Sequence, residues 1–147
     1  MDATDRKIVD LLVENGRATH TEIGRAVGLS PHAIADRIRR LLASGVITGF
    51  TALVDLGSIG RGLEALVDVR LLSSTTPEQF ERVAFGLPTV QSVAFLTGRF
   101  DYQVQVACDD ADDLDHTVRT LRQRAGAAVT ETRIVLRSRS APTRIGR

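Results

Sequence analysis

The sequence predicts an α+β protein with an N-terminal helix-turn-helix (winged-helix-like) domain and a C-terminal ferredoxin-like βαββαβ domain. Three short amphipathic helices with their own start and stop signals occupy the first 45 residues, and only three residues separate the second helix from the third. From residue 63 onward, strand and helix patterns alternate in the order strand, helix, strand, strand, helix, strand.

Each of the three N-terminal helices begins at a side chain that can accept a backbone hydrogen bond, and each ends near a glycine. Asp2 can cap the first helix, and Thr19 with Glu22 has capping-box spacing at the start of the second. Ser30-Pro31 places a hydroxyl cap before a proline at the first position of the third helix. We expect the apolar residues at helical spacing to form the core: Ile8, Leu11, Leu12, Ile23, Ala26, Val27, Ile34, Ile38 and Leu41.

The residues that follow the third helix predict a β-strand hinge and then a glycine-rich joint. Residues 46–55 are rich in β-branched residues, and Gly57, Gly60 and Gly62 come shortly afterwards. The predicted organisation is a helix-turn-helix domain at 1–49, a hinge or linker at 50–61, a ferredoxin-like domain at 62–138 and a tail at 139–147.

The C-terminal domain is expected to be a four-stranded antiparallel sheet with both helices on one face. Strands are predicted at residues 63–71, 90–97, 102–108 and 129–136, and helices at about 76–87 and 109–124. The opposite sheet face would carry Gln103, Gln105, Val135 and Leu66 or Leu72. We expect another subunit to cover that face in a two-fold dimer, and plain solvent exposure is the alternative.

Composition excludes several classes of protein. Hydrophobic residues make up 43% and charged residues 25%, values typical of a globular domain rather than a disordered chain. No apolar run approaches the roughly 18 residues of a membrane span, so no membrane partner is expected. Cys108 is the only cysteine, which prevents an internal disulfide. Without a signal-peptide pattern at the start, we expect a reduced cytoplasmic setting.

The patterns of an enzyme are missing from the sequence. His20, His32 and His116 fall in three different predicted elements without ligand spacing. No phosphate-binding loop or dinucleotide fingerprint occurs, and no side chain stands in a nucleophile context. The acidic run at residues 109–115 suits a helix N-terminus better than a metal site. We therefore predict no catalytic activity, no metal and no cofactor.

A net charge of +1 conceals a basic N-terminal region. Residues 17–50 hold five arginines and two acids, whereas residues 51–140 hold ten arginines and twelve acids. Guanidinium groups suit phosphate and guanine, although a genome that favours arginine codons would produce the same bias. The exposed face of the third helix sets basic and polar residues around the small Ala35, an arrangement that favours insertion into a major groove.

The candidate DNA contacts follow from this face and its surroundings. A solvated face on a purely structural three-helix bundle is the alternative interpretation. Candidate base contacts are His32, Asp36 and Arg39; candidate backbone contacts are Arg17, Thr19, Thr21, Ser30, Arg37 and Arg40.

Four stretches, taken in order, are similar to one known family. DATDRKIVDLLVENGRATHTEIGRAVGLS resembles its first two helices, and SPHAIADRIRRLLASGVITGF resembles its recognition helix and the hinge beyond. LTGRFDYQVQV followed by DDADDL resembles the loop and strand of its ligand-sensing domain, and TETRIVL resembles its last strand. On these stretches the chain resembles the Lrp/AsnC (leucine-responsive/asparagine-responsive, feast/famine) family of prokaryotic transcription regulators.

The resemblance implies a sequence-specific DNA-binding regulator of transcription that acts on double-stranded DNA in the nucleoid. It implies a homodimer built through the ferredoxin-like domains, often assembled further into tetramers or octamers. It also implies a small-molecule effector, commonly an amino acid or a related metabolite, that binds between subunits near the loop at residues 98–102. An architectural DNA-compacting protein without an effector response is the alternative function.

The residues of that loop suit an amino acid. Gly98 can expose backbone N–H groups to a carboxylate, Asp101 offers an anion to an ammonium group, and Arg99 adds a cation. Alternatively, Asp101 only satisfies N–H groups of a β-hairpin turn. The candidate ligand-binding residues are Gly98, Arg99, Asp101 and Tyr102, together with Thr130 and Thr132 on the last strand, where β-propensity is an equally good explanation.

Overall fold

The computed structural model describes residues 1–139 and contains two compact units, residues 1–53 and 54–138. The first unit is helical and the second consists of a sheet with two helices, which confirms the predicted α+β class. The predicted tail at 139–147 lies, from residue 140 onward, outside the described residues.

The first unit contains three helices, α1 (Ala3–Glu14), α2 (His20–Val27) and α3 (Pro31–Ala43). Their predicted caps are confirmed: Asp2 and Thr19 form capping boxes, and the Ser30 hydroxyl accepts the Ala33 N–H at 3.2 Å. Gly28 ends α2 in the left-handed conformation with φ of 75°, which glycine adopts without steric cost. The local sequence therefore sets the lengths of all three helices.

A shared apolar core joins α1, α2 and α3, and a glycine allows α2 and α3 to meet closely. A Cβ atom on Gly24 would lie 2.5 Å from the carbonyl oxygen of Leu29, so only glycine fits there. Gly24 is buried for this reason, whereas Ala26, which we expected in the core, is exposed. The buried residues are Ile8, Val9, Leu12, Ile23, Ile34, Ile38, Leu41 and Ile47.

Arg37 ties α3 to the start of α1. Its Nη1 donates to Asp2 Oδ2 at 2.7 Å and to Asp5 Oδ1 at 2.6 Å, and its side chain is 22% exposed. Hydrogen bonding to Arg37 lowers the pKa of Asp2. The Asp2 backbone and Arg37 together lower the pKa of Asp5. These contacts differ from the DNA-backbone role expected for Arg37, because its guanidinium is engaged inside the first unit.

The predicted hinge strand is absent between α3 and residue 63. Residues 46–55 carry no assigned strand, and a short 3-10 turn follows at Gly57–Ile59. Asp55 stabilises that turn by accepting the Gly57 N–H at 3.2 Å and the Ser58 hydroxyl. A strand requires a neighbouring strand to pair its backbone groups, and no ladder of the described residues includes this segment.

The second unit has the predicted βαββαβ order. Its elements are β1 (Leu63–Leu71), α4 (Pro77–Phe85), β2 (Val90–Phe95), β3 (Tyr102–Cys108), α5 (Ala111–Gln123) and β4 (Ala127–Ile134). The sheet order is β2-β3-β1-β4 and every neighbouring pair is antiparallel, which confirms the ferredoxin-like prediction. The last strand begins two residues earlier than expected, because Gly126 at φ 79° already turns the chain.

The two helices cover one face of the sheet and form the core of the second unit. Alternate residues of β1 and β3, such as Val67 and Val104, point to this face and are fully buried. Phe80 of α4 and Leu121 of α5 pack against them. The period-two pattern in the sequence thus identified the core face correctly.

The other face of the sheet is more polar than expected. Asp68 is 7% exposed although it is charged, because it accepts hydrogen bonds from Gln103 at 3.0 Å and Arg133 at 2.5 Å. Leu66, Gln105 and Val135 are half-buried around it. Leu72, the other apolar candidate, follows the end of β1 and is 47% exposed.

We predict that Arg37→Ala lowers the melting temperature of the full chain by a few degrees, because the ion pairs of Arg37 with Asp2 and Asp5 are lost. Circular dichroism at 222 nm would measure this change. Arg39→Ala removes the solvent-exposed ion pair with Asp36 from the same helix and serves as the matched control, with a smaller shift expected.

The effect of Arg37→Ala should depend on pH. The pKa values of Asp2 and Asp5 are lowered from 3.8 in the folded state, so their stabilising contribution is present above pH 3.8 and is lost as pH falls through the lower folded values. The difference between wild type and variant should therefore shrink below about pH 4. An unchanged difference at pH 3 and pH 7 would contradict this role.

Candidate nucleic-acid interface and ligand-binding loop

Helix α3 presents a polar face to solvent. Its apolar positions Ile34, Ile38 and Leu41 point into the core, so the opposite side must point outward. The His32 side chain is 88% exposed and the Arg39 side chain 74% exposed, and Arg40 is exposed beside them. This face is therefore open to a nucleic acid.

One carboxylate connects the exposed groups of this face. Arg39 Nη1 donates to Asp36 Oδ1 at 2.7 Å, and His32 Nε2 lies 3.5 Å from Asp36 Oδ2. The spacings of three and four residues place all three side chains on one side of the helix. Asp36 itself is 43% exposed. The arrangement sets an acceptor directly beside a guanidinium in the middle of the exposed face.

Further basic groups flank the helix-turn-helix. The guanidinium groups of Arg17 and Arg40 are exposed, and neither forms a salt bridge within residues 1–139. Thr21, in the first turn of α2, is also exposed. These three side chains remain available for phosphate oxygens.

The two hydroxyl caps differ in what they can still donate. The Thr19 hydroxyl accepts the Glu22 N–H at 3.2 Å and donates to Glu22 Oε2 at 2.8 Å, so its proton is already used. The Thr19 backbone N–H, which donates to Glu22 Oε2 at 2.7 Å, and then the Thr19 hydroxyl lower the pKa of Glu22. The Ser30 hydroxyl accepts the Ala33 N–H and retains its proton for a phosphate. Ser30 thus suits the expected role better than Thr19.

The loop between β2 and β3 has a fixed backbone. Gly98 adopts φ of 109°, a conformation that favours glycine. The Asp101 N–H donates to the Val69 carbonyl at 2.9 Å, and Asp101 Oδ2 accepts the Leu71 N–H at 2.7 Å. Within residues 1–139 the second carboxylate oxygen, Oδ1, accepts no hydrogen bond. Asp101 therefore stabilises the hairpin and still offers one oxygen to a ligand.

Arg70 also holds this loop, although no pattern in the sequence predicts that role. Its Nε and Nη2 donate to the Arg99 carbonyl at 3.2 and 3.1 Å. Only the pairing of β1 with β3 brings residue 70 to residue 99, so no local pattern could have found the contact. The Arg99 guanidinium lies 5.2 Å from the centre of the Phe100 ring and stays exposed.

Tyr102 lies in the core rather than on the surface of the loop. Its ring is fully buried, with the ring centres of Phe80 and Phe95 at 4.6 and 4.9 Å. Its hydroxyl donates to Glu81 Oε1 at 2.8 Å, and burial together with Glu81 raises the pKa of Tyr102 to about 12. We therefore correct its expected role: Tyr102 supports the loop and its hydroxyl is already engaged.

The two threonines of the last strand lie on the helix-covered side of the sheet, in register with Val69 and Val67. The Thr130 hydroxyl accepts a hydrogen bond from Arg122 Nε at 2.7 Å, whereas Thr132 is exposed. Among the described residues the Thr132 hydroxyl forms no hydrogen bond, whereas the Thr130 hydroxyl accepts one and keeps its proton to donate.

The acidic run at residues 109–115 spans the N-terminus of α5, where its carboxylates cap the helix. The Asp110 carboxylate accepts the Asp113 N–H at 2.9 Å, and Asp113 accepts the Asp109 N–H at 3.1 Å.

Within the described part of the chain, no group of three or more histidine, cysteine or acidic side chains has metal-binding geometry. Every helix in residues 1–139 is too short or too polar to cross a lipid bilayer.

Each of the two units matches a known protein domain. Residues 1–42 match the AsnC-type helix-turn-helix domain, and residues 64–145 match the Lrp/AsnC ligand binding domain. The HTH-type transcriptional regulator Rv2324 of Mycobacterium tuberculosis is 36% identical over 136 residues, which cover 92% of each chain.

Two solved structures are similar over almost the whole chain. The transcriptional regulator NMB0573 of Neisseria meningitidis in complex with L-Met has a TM-score of 0.89 at 32% identity, covering 97% of this chain and 94% of that one. The feast or famine regulatory protein Rv3291c of M. tuberculosis, complexed with L-methionine, has a TM-score of 0.92 at 29% identity, covering 99% of both.

The capped helix-turn-helix with its exposed polar face on α3, the ferredoxin-like sheet and these matches all indicate the same family. That family consists of transcriptional regulators and not of enzymes. The chain belongs to the Lrp/AsnC family and is a transcriptional regulator with a helix-turn-helix domain and a ligand-binding domain.

Proposed function

We propose that this regulator binds specific DNA sequences and that its assembly or its DNA affinity responds to an amino acid or a related metabolite. The observation that carries the proposal is the exposed face of α3, where Arg39 and His32 stand opposite a fully apolar core stripe. We assign DNA binding to residues 1–49, the connection to 50–61, and ligand binding with oligomerisation to 62–138.

In this proposal a homodimer places two α3 helices in successive major grooves, about one helical turn apart. His32 and Arg39 reach base edges, while Arg17, Arg40, Thr21 and Ser30 contact the sugar-phosphate backbone. Arg37 is left out of this set because Asp2 and Asp5 hold it. Binding to chromosomal DNA would place the protein in the cytoplasm, on the nucleoid.

The dimer would form through the sheet face that the helices leave uncovered. Half-buried Leu66 and Val135 surround Asp68 there, and Val129 is 45% exposed. A second copy could bury these apolar groups without unpairing Asp68, because Gln103 and Arg133 already satisfy it. Association of such dimers into tetramers or octamers completes the proposal.

The effector site is proposed at the loop that Gly98 and Asp101 shape. Asp101 Oδ1 can accept an α-ammonium group, and the backbone around Gly98 can donate to an α-carboxylate. Two similar regulators have been solved with L-methionine, which supports an amino acid as the ligand class. Such a ligand changes regulation only by binding one assembly more tightly than another.

We predict that Arg40→Ala weakens binding to all duplex sequences and reduces the salt slope, −dlogK/dlog[salt], by about one, because one phosphate contact is lost. A fluorescence-anisotropy titration between 50 and 200 mM salt, about the usual range for such slopes, measures this. Arg119→Ala removes an exposed charge from α5 and should leave the slope unchanged. Equal slopes for wild type and Arg40→Ala would contradict the phosphate role.

We predict that at least one amino acid raises the melting temperature of the wild-type chain, because a ligand bound only by the native state adds about 2.7 kcal/mol at 100 times its Kd. Light scattering should show a change in oligomer size with the same amino acid. A natural amino acid panel in a thermal-shift assay identifies it.

Asp101→Asn should abolish this response without unfolding the loop. The asparagine oxygen can still accept the Leu71 N–H, but the charge for an ammonium group is gone. Asp115→Asn, an exposed charge removal on α5, is the control. If no amino acid or related metabolite shifts the wild-type melting temperature or assembly, the architectural DNA-compacting function replaces the effector proposal.

A further inference from the structure

We infer that Asp36 and Arg39 act together as one reading unit for a G·C base pair in the DNA site. The inference rests on the proposed insertion of α3 into the major groove. Asp36 then has Arg39 as its partner and a G·C pair as its target, whereas the sequence alone predicted only separate base contacts for the two residues.

The geometry that supports the unit is a donor and an acceptor held side by side. Arg39 Nη1 is 2.7 Å from Asp36 Oδ1, which fixes the guanidinium next to the carboxylate. Only one of the five guanidinium N–H groups is needed for that bond, so the remaining donors can face a base. Both side chains are solvent-exposed, and His32 lies on the other side of Asp36.

The major-groove edge of a G·C pair has the complementary pattern. Guanine presents two acceptors, O6 and N7, which match an arginine fork, and cytosine presents the N4 amino donor, which matches a carboxylate. Adenine offers one acceptor and one donor, so it cannot receive the fork at both positions. Arg39 would therefore bind guanine while Asp36 accepts a hydrogen bond from cytosine N4, either in the same pair or in the neighbouring one.

Electrostatics favours a role in selection over a role in general affinity. A carboxylate in the middle of a face that approaches phosphates repels every DNA sequence equally. Asp36 also neutralises Arg39 in the free protein, which removes a charge that would otherwise attract any backbone. The carboxylate becomes favourable only where a base supplies a donor, so it penalises DNA that lacks one.

The alternative role for this pair is a helix-surface ion pair. Oppositely charged residues three apart on an exposed helix stabilise it only slightly, and they need not touch DNA. Sequence preference separates the two roles, because a surface ion pair affects helix stability and leaves the selected DNA sequence unchanged.

The decisive experiment is in vitro selection from a random duplex library with the full-length chain. Wild type should select a sequence with a G·C pair at one fixed position of each half-site. Asp36→Ala and Arg39→Ala should each lose that preference, reducing the affinity ratio between G·C and A·T duplexes from at least about tenfold to near one. Arg40→Ala is the control on the same helix and should select the same sequence with lower affinity.

A chemical substitution in the DNA tests the guanine contact directly. Replacing the selected guanine by 7-deazaguanine removes the N7 acceptor and should weaken wild-type binding about tenfold. The same substitution should have little effect on the DNA affinity of the Arg39→Ala variant.

The salt slope of Asp36→Ala should become steeper, because Arg39 is released to contact a phosphate.

The outcomes separate this inference from the proposed function. A clear wild-type consensus that Asp36→Ala and Arg39→Ala leave unchanged overturns the reading unit alone, as does a consensus with only A·T pairs. A wild type that retains no DNA, or binds it without any consensus, overturns the proposed sequence-specific function and the reading unit together.

Discussion

The first unit depends on one constraint: helix α3 must bury its apolar face in the core and leave its polar face exposed to solvent. Ile34, Ile38 and Leu41 anchor the buried stripe, while Gly24 lets α2 approach the turn before α3 closely enough for a compact core. Since a side chain at position 24 would collide with the Leu29 carbonyl, one glycine limits how α2 and α3 can cross. The exposed polar face is a direct consequence of this packing.

Charge on α3 is divided between structure and recognition. Arg37 points to the flank, where Asp2 and Asp5 bind it, and it holds the start of α1. Arg39 points to solvent on the other side, whereas Arg40, three residues after Arg37, is exposed near the same flank. The three arginines are almost adjacent in the sequence, yet helical rotation separates Arg39 from the other two. A count of basic residues therefore overstates the charge available to a nucleic acid.

The second unit builds its loop from distant strands. Asp101 binds backbone groups of residues 69 and 71, and Arg70 binds the carbonyl of residue 99. Tyr102 secures the base of the loop in the aromatic core with Phe80 and Phe95. These contacts hold the loop to the sheet, and the groups they leave for a ligand include Asp101 Oδ1, the backbone near Gly98 and the exposed Arg99.

The sequence by itself determined the boundaries of the three N-terminal helices, the succession of strands and helices in the second unit and the core face of its sheet, because caps, glycine stops and hydrophobic periods act between near neighbours. It also marked the exposed face of α3, since Ile34 and Ile38 fix the opposite side. Tertiary structure alone decided that Arg37 is engaged by α1, that Tyr102 is buried, that Ala26 is exposed and that residues 46–55 form no strand. Each of these outcomes depends on partners far away in the chain, whose positions no local pattern of residues specifies.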